Sequence, residues 1–174
     1  MTTHQNAYDA AAGDRSRTHT WHSRPELTPE ILGMSGLEIL QAYLKGALPA
    51  ASMMSTLGFR LTEAEEGRVV FEGDPGDHLL NPMGTVHGGF LATLLDSALG
   101  SAVMTRLPAG TSYTTVQLGV NMIRPVLAGT PTLRCEGIAL HVGRTTATAE
   151  ARVVGAADGK LYAHGTTTCV VLRP

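Results

Sequence analysis

Residues 81–100 read Asn-Pro-Met-Gly-Thr-Val-His-Gly-Gly-Phe-Leu-Ala-Thr-Leu-Leu-Asp-Ser-Ala-Leu-Gly. Gly84 and the pair Gly88-Gly89 let the backbone bend sharply into a helix and leave its first N–H groups uncovered by side chains. Because these N–H groups and the helix dipole point the same way, such a helix start can bind an anion. His87, directly before the glycine pair, can cap the helix and brace the turn. The stretch therefore predicts a helix with an anion site at its N-terminus.

The predicted helix is apolar except for one narrow stripe of small and polar residues. These recur every three or four positions and are Gly89, Thr93, Asp96, Ser97 and Gly100. Asp96 is the only acidic or basic residue between positions 88 and 104. Because a buried carboxylate without a partner is costly, Asp96 is a candidate for acid–base chemistry. An Asp that faces solvent, or that bonds a neighbouring strand, fits the pattern equally well.

Strand-like runs lie on both sides of this helix. Two of them flank the turn Glu65-Glu66-Gly67, between positions 57 and 73. Four more, rich in Thr and Val and mostly separated by short turns, lie near 112–123, 131–142, 145–155 and 160–172. A buried helix between a hairpin and a meander predicts an α+β fold, in which an antiparallel sheet of about six strands wraps a long central helix.

The segment before the first strand carries helical signals. Thr28-Pro29 is typical of a helix start, and Ser35-Gly-Leu-Glu38 forms a capping box whose two polar side chains bond the first free N–H groups. Residues 1–26 are polar, and their three histidines show no metal-ligand spacing. We therefore expect a flexible tail over 1–26, a helical segment over 27–50 and the sheet domain over 51–174.

Bulk composition excludes several classes of protein. With 174 residues, 43% hydrophobic and 16% charged, the chain suits one folded domain. A net charge of -2 without a basic cluster argues against a nucleic-acid partner. No apolar run reaches the ~20 residues that span a bilayer, and the N-terminus lacks a secretory signal, so we expect a cytoplasmic protein without membrane contact. No HExxH, Walker or dinucleotide motif occurs, which predicts neither a metal nor a nucleotide cofactor.

The spacing between the helix start and Asp96 has a geometric consequence. Gly88 and Asp96 are eight residues apart in sequence, which places them ~12 Å apart along a single helix. One helix therefore cannot present both groups to the same bound atom. If the two act together, Asp96 comes from a second copy of the chain, with the central helices antiparallel across a two-fold axis. This predicts at least a homodimer with two shared sites.

At these residues the sequence resembles the hotdog-fold thioesterases of the PaaI type, in which Asn or Gln, then His-Gly-Gly, then Asp or Glu occur at this spacing. The resemblance covers roughly residues 50 to 172 and implies a hotdog domain that hydrolyses acyl-coenzyme A. It implies that Asp96 is the nucleophile or the general base. Asn81 would orient the water or hold the acyl carbonyl, and the Gly88 N–H would polarise the thioester oxygen.

The resemblance also assigns two supporting residues. Thr115 falls where the family often places a Ser or Thr that positions the water, although Thr114 is adjacent. His87 is expected to support the loop through hydrogen bonds rather than to act as the base.

Contacts to coenzyme A follow from the same resemblance. They are expected from Gly89, Arg124 and Arg144, since the planar fork of arginine suits phosphate, although exposed turn arginines fit the sequence equally well. Coenzyme A is then part of the substrate, and no separate cofactor is expected. The resemblance further implies a dimer or a dimer of dimers.

Three alternatives belong to the same family of folds. A non-catalytic acyl-coenzyme A sensor would keep the glycine-rich helix start and need no carboxylate at Asp96. An acyl carrier protein thioesterase would need a basic rim for an acidic partner, which this nearly neutral chain does not show. Hotdog dehydratases carry a His-Phe-Pro element that is missing here. The pairing of Asp96 with Asn81 favours the acyl-coenzyme A hydrolase.

Overall fold

The structure is a computed structural model, and it describes residues 15–23 and 25–173. Three short helices precede a hairpin of two strands, which is followed by one long helix and four further strands. In chain order they are α1 (Pro29–Leu32), α2 (Gly36–Leu44), α3 (Ser52–Leu57), β1 (Phe59–Glu65), β2 (Arg68–Gly73), α4 (Gly88–Met104), β3 (Ser112–Met122), β4 (Leu133–Val142), β5 (Thr146–Gly155) and β6 (Leu161–Leu172). A short 3-10 helix, Asp77–Leu79, precedes α4.

The six strands form one antiparallel sheet in the order β1-β2-β4-β5-β6-β3. Strands β1 and β3 are its two edges. Helix α4 connects β2 to β3 and contacts all strands from β2 to β6. The predicted α+β architecture, a six-stranded antiparallel sheet around a long central helix, is confirmed.

The core lies between α4 and the inner face of the sheet. Leu94, Leu95 and Leu99 on α4 are fully buried and pack against small or apolar strand residues. At Gly137 in β4 the helix and the strand approach so closely that a Cβ atom would lie 2.4 Å from the carbonyl oxygen of Ala98. A glycine is therefore required for α4 to lie this deep against the sheet.

The N-terminal helices cover one end of α4. Ser35 and Glu38 form the predicted capping box at the start of α2. Gly36 lies against the end of α4, where its N–H donates to the Leu107 carbonyl and a Cβ would meet the Met104 carbonyl oxygen at 1.9 Å. This close crossing fixes α2 over the C-terminal half of α4.

Helix α3 lies outside the predicted helical segment of 27–50. Its N-cap residue, Ala51, has no side chain that can cap the helix, so the sequence carried no start signal. The helix ends at Leu57, and its C-cap residue, Gly58, has a φ of 76°. Of the predicted tail, residues 1–14 and 24 lie outside the described residues. Residues 15–23 form no helix or strand. The Arg17 guanidinium donates to the Thr56 carbonyl of α3, and the Ser55 hydroxyl of α3 donates to the Thr20 carbonyl.

Within the described part of the chain, none of the helices is both long and apolar enough to cross a membrane.

Candidate active site

Asp96 lies half-buried on α4 and is bonded by the neighbouring edge strand. The Thr115 hydroxyl donates to Asp96 Oδ1 over 3.1 Å. Among the described residues, the second carboxylate oxygen, Oδ2, has no hydrogen-bond donor. The carboxylate is thus held in one orientation while one oxygen stays open to water or substrate.

A β-bulge in β3 sets which residues of that strand face α4. The register between β3 and β6 shifts between Thr115 and Gln117, around the exposed Val116. Before the shift Tyr113 and Thr115 face the helix; after it Leu118 packs against the core instead. Because side chains alternate along a strand, one extra residue reverses the inward set. The bulge lets β3 present a hydroxyl at Asp96 and apolar side chains farther along.

A cavity of about 280 Å³ opens beside this pair. Its walls come from α2, α3, β1, β2, β3 and α4. They are formed by Leu40, Tyr43, Ala51, Met53, Met54, Phe59, Leu61, Phe71, Asp96, Ser97, Ser101, Met104, Tyr113 and Thr115. The cavity is apolar apart from the helix stripe and the hydroxyls around Asp96.

The start of α4 lies away from this cavity. His87 is the N-cap, and its Nδ1 accepts from the Gly89 N–H over 2.9 Å. The Gly88 N–H has no acceptor among the described residues. A Cβ at Gly88 would lie 3.1 Å from the Met122 methyl carbon, so the absence of a side chain lets Met122 pack closely against the helix start. The Gly89 N–H, in contrast, is already used by His87.

Asn81 braces the loop before α4. Its Oδ1 accepts from the N–H groups of Met83 and Thr85 over 2.9 and 3.2 Å, and its Nδ2 donates to Thr85 Oγ1 over 2.8 Å. Gly84 completes this turn with φ of 81°, a conformation that favours glycine. The Asn81 oxygen is therefore occupied, and its second Nδ2 proton is the group left for a substrate oxygen.

A second cavity, also of about 280 Å³, lies at this helix start. Asn81, Gly88, Met122 and Arg124 are among its lining residues, and Asp96 is not. Within one protomer the structure thus separates the predicted residues into two groups along α4. Asp96 and Thr115 form one group, and Asn81, Gly88 and Arg124 form the other.

The fold matches known proteins. The model of the thioesterase superfamily matches residues 83–162. A variant of the phenylacetic acid degradation protein PaaI from Thermus thermophilus is 31% identical, with a TM-score of 0.63 over 71% of this chain and 100% of its own. The chain belongs to the thioesterase superfamily. The predicted resemblance to hotdog-fold thioesterases of the PaaI type is confirmed, and the protein is a thioester hydrolase.

Two further relatives of this thioesterase support the assignment. A phenylacetic acid degradation-related protein from Ralstonia eutropha JMP134 is 30% identical, with a TM-score of 0.68 over 75% of this chain and 98% of its own. Human acyl-coenzyme A thioesterase 13 is 29% identical over 133 residues, which is 74% of this chain and 91% of the human protein.

The two candidate arginines of the thioesterase lie at opposite ends of the sheet. Arg124 lies two positions after Met122, the last residue of β3, which pairs with Ala163 of β6. Arg144 lies two positions before Thr146, the first residue of β5, which pairs with Val170 of β6. Seven residues of β6 separate these two points, a length of ~23 Å in a strand. Both side chains are exposed. One protomer therefore does not bring them to the same phosphate group.

Several residues around Asp96 were not singled out from the sequence. Ser101 lines the cavity but was missed. It lies four positions after Ser97, a member of the predicted stripe, so helical periodicity could have found it. Tyr43, Met53 and Met54 had no such signal, because their contact with the cavity depends on how α2 and α3 pack. Leu94 and Leu95 of α4 are fully buried in the core, whereas Met104 lines the Asp96 cavity.

Other reactive side chains are less suited to chemistry. Cys135 and Cys169 are free and buried, and burial raises the pKa of both thiols. Both therefore stay protonated near neutral pH and are poor nucleophiles. Across residues 15–23 and 25–173, no three His, Cys, Asp or Glu side chains cluster as a metal site would require.

Proposed function

We propose that this thioesterase hydrolyses acyl-coenzyme A to a free acid and coenzyme A, at sites shared between two chains. One observation carries the proposal: a carboxylate with an open oxygen and a helix start with a free N–H line separate cavities on one helix. The relation to human acyl-coenzyme A thioesterase 13 supports coenzyme A as the carrier of the acyl group.

The chemistry requires a base or nucleophile and a donor for the oxyanion. As a base, Asp96 takes a proton from water, the oxygen attacks the carbonyl carbon, and the C–S bond then breaks as coenzyme A leaves as a thiol. As a nucleophile, the Asp96 carboxylate attacks the carbonyl carbon, the C–S bond breaks as coenzyme A leaves as a thiolate, and water hydrolyses the resulting anhydride to the free acid and the Asp96 carboxylate. In both routes the Gly88 N–H and the α4 dipole stabilise the negative oxygen, and the Thr115 hydroxyl holds the carboxylate in place.

Two chains are needed to bring these groups together. Gly88 and Asp96 are ~12 Å apart along α4, so the Asp96 of one chain serves the helix start of another. Helix α4 has a half-exposed face that includes Thr93, Asp96 and Ser97, and β3 is a sheet edge beside that face. Antiparallel packing of two α4 helices across a two-fold axis gives two equal sites. Arg124 and Arg144 then contact coenzyme A from different chains.

Replacement of Asp96 tests the catalytic assignment. In Asp96→Asn we expect turnover of acyl-coenzyme A to fall by at least about a thousandfold, because neither proton abstraction nor attack remains. Thiol release is followed with a chromogenic reagent over a panel of acyl-coenzyme A substrates, with folding checked by circular dichroism. Glu150→Gln, on an exposed position of β5, is the matched charge control. Full activity of folded Asp96→Asn would refute the assignment, and tight binding without release by the unaltered protein would indicate a sensor.

Complementation tests the shared site. Asp96→Asn and Gly88→Pro, which lacks the N–H, are each expected to be inactive alone. A mixed dimer of the two contains one site with both defects and one site with neither. Unfolding and refolding them together should restore up to about a quarter of the original rate per chain, since half the dimers are mixed and each has one intact site. If verified heterodimers show no recovery of the hydrolysis rate, the shared site is contradicted.

A further inference from the structure

Building on the proposed function, we propose that the cavity beside Asp96 holds the acyl group and that Tyr43 sets the length of acyl chain it accepts. The acyl group would be uncharged and apolar, of about eight to twelve carbon atoms.

The walls of the cavity define the chemistry of its occupant. Asp96 is the only charged residue among the described residues that line it. Met53, Met54 and Met104 contribute flexible, polarisable walls, which adapt to an unbranched or an aromatic group. If the acyl group carried a carboxylate at its far end, that carboxylate would lose its hydration in the cavity without gaining a cationic partner. The cavity thus favours a neutral hydrocarbon attached to the thioester.

The size of the cavity limits the acyl group. Its wall on α4 runs from Asp96 to Met104, eight residues or ~12 Å along the helix axis. An apolar cavity of about 150 Å³ holds one benzene molecule, with six carbon atoms. At about 280 Å³ the Asp96 cavity has nearly twice that volume. This matches an octanoyl, decanoyl or phenylacetyl group better than an acetyl or hexadecanoyl group.

Tyr43 borders both this cavity and a neighbouring one. A neighbouring cavity of about 330 Å³ is lined by His22, Ser23, Pro25, Tyr43, Pro49, Ala50, Ala51 and Ser52. Tyr43 and Ala51 thus form walls of both cavities. Of these two shared residues, Tyr43 has the larger side chain. We therefore expect removal of its ring to join the two spaces and roughly double the room for an acyl chain.

Acyl-chain profiles of three variants test the proposal on the full chain. We compare kcat/KM for butanoyl-, octanoyl-, dodecanoyl- and hexadecanoyl-coenzyme A. Tyr43→Ala should raise the ratio of dodecanoyl to octanoyl activity by at least about tenfold, since one methylene in an apolar pocket already changes discrimination by about that factor. Met54→Trp, which fills the cavity, should lower the ratio of octanoyl to butanoyl activity by a similar factor.

Leu44→Ala is the matched control, because Leu44 follows Tyr43 on α2 but is exposed and does not line the cavity. Its chain-length profile should equal that of the unaltered protein. If Tyr43→Ala and Met54→Trp both keep the original profile while folded, the cavity is not the acyl site. That outcome differs from failure of the proposed function, in which the unaltered protein would release thiol from no acyl-coenzyme A in the series.

Discussion

At the scale of single residues, the site depends on one hydroxyl and one backbone irregularity. Thr115 donates to Asp96 because the bulge at Val116 begins just after it; Thr114 points to the other face and is exposed. The family resemblance favoured Thr115, but the neighbouring Thr114 lies only one position away. Because side chains alternate along β3, only Thr115 faces Asp96.

Substitution of Thr115 tests this positioning role. Thr115→Val removes the hydrogen bond to Asp96 with little change in shape, and a hydrogen bond to a charged group contributes about 1.5–3 kcal/mol. We expect kcat to fall about tenfold to a hundredfold, with a smaller change in KM. Thr115→Ser should retain most of the rate, and Thr114→Val, on the exposed face, should be unaffected. Equal losses in both valine variants would mean that the effect comes from the strand and not from the bond to Asp96.

At the scale of elements, a cluster of ion pairs ties together three strands at the edge away from β3. Arg68 of β2 and Arg134 of β4 each bond Glu63 of β1, over 2.8 and 3.2 Å, and both also bond Glu136 of β4. Hydrogen bonds from Arg68 and then Arg134 hold the pKa of Glu63 below its ordinary value of 4.5. Burial alone would raise the pKa of Glu136, but its bonds to the two arginines outweigh it and the pKa is lowered.

This cluster predicts how stability depends on pH. A carboxylate with a lowered pKa in the folded state stabilises the protein above its unfolded value of 4.5 and loses that contribution as pH falls through the folded value. We expect the free energy of unfolding to decrease below this pH, and to decrease less steeply in Glu63→Gln. Denaturant titrations across the acidic range measure it. Because the pairs are partly exposed, the effect should weaken in high salt.

Glu150→Gln is again a suitable control, since Glu150 lies on an exposed position of β5. The free energy of unfolding of Glu150→Gln should depend on pH as that of the unaltered protein does. If the slope of unfolding free energy against pH is the same in Glu63→Gln and Glu150→Gln, the cluster does not contribute to acid stability.

At the scale of the whole molecule, each chain has two cavities at different points of α4, and the proposed function makes each of them half of a shared site. The Asp96 cavity lies under α2 and α3, and the Gly88 cavity lies beside the end of β3. A single chain therefore has each chemical group the proposed reaction needs but not their arrangement. Under the proposed function, assembly is therefore required for catalysis and not only for stability.

Dilution tests this dependence on assembly. We expect the rate per chain to be constant at concentrations where sedimentation shows dimers or larger assemblies. It should fall towards zero where sedimentation shows monomers, because mass action removes the complete site. Added concentrated protein should restore the rate. An unchanged rate per chain in a verified monomer would contradict the shared site.

The sequence by itself determined the kinds of element, their order and the motif residues. The alternation of strands and the period of α4 are local patterns, so strands were located to within a few residues. The cap at His87 and the box at Ser35 and Glu38 were equally visible, because capping joins residues two or three positions apart.

Only the tertiary structure decided which distant groups meet. It placed Thr115 against Asp96, used the Asn81 oxygen within its own loop, and set Arg124 and Arg144 at opposite ends of the sheet. It also brought α3 and Tyr43 to the Asp96 cavity, although α3 has no start signal. The physical reason is that these contacts depend on a bulge, on close helix crossings and on strand register. Such features arise from packing between segments far apart in the chain, which local periodicity does not encode.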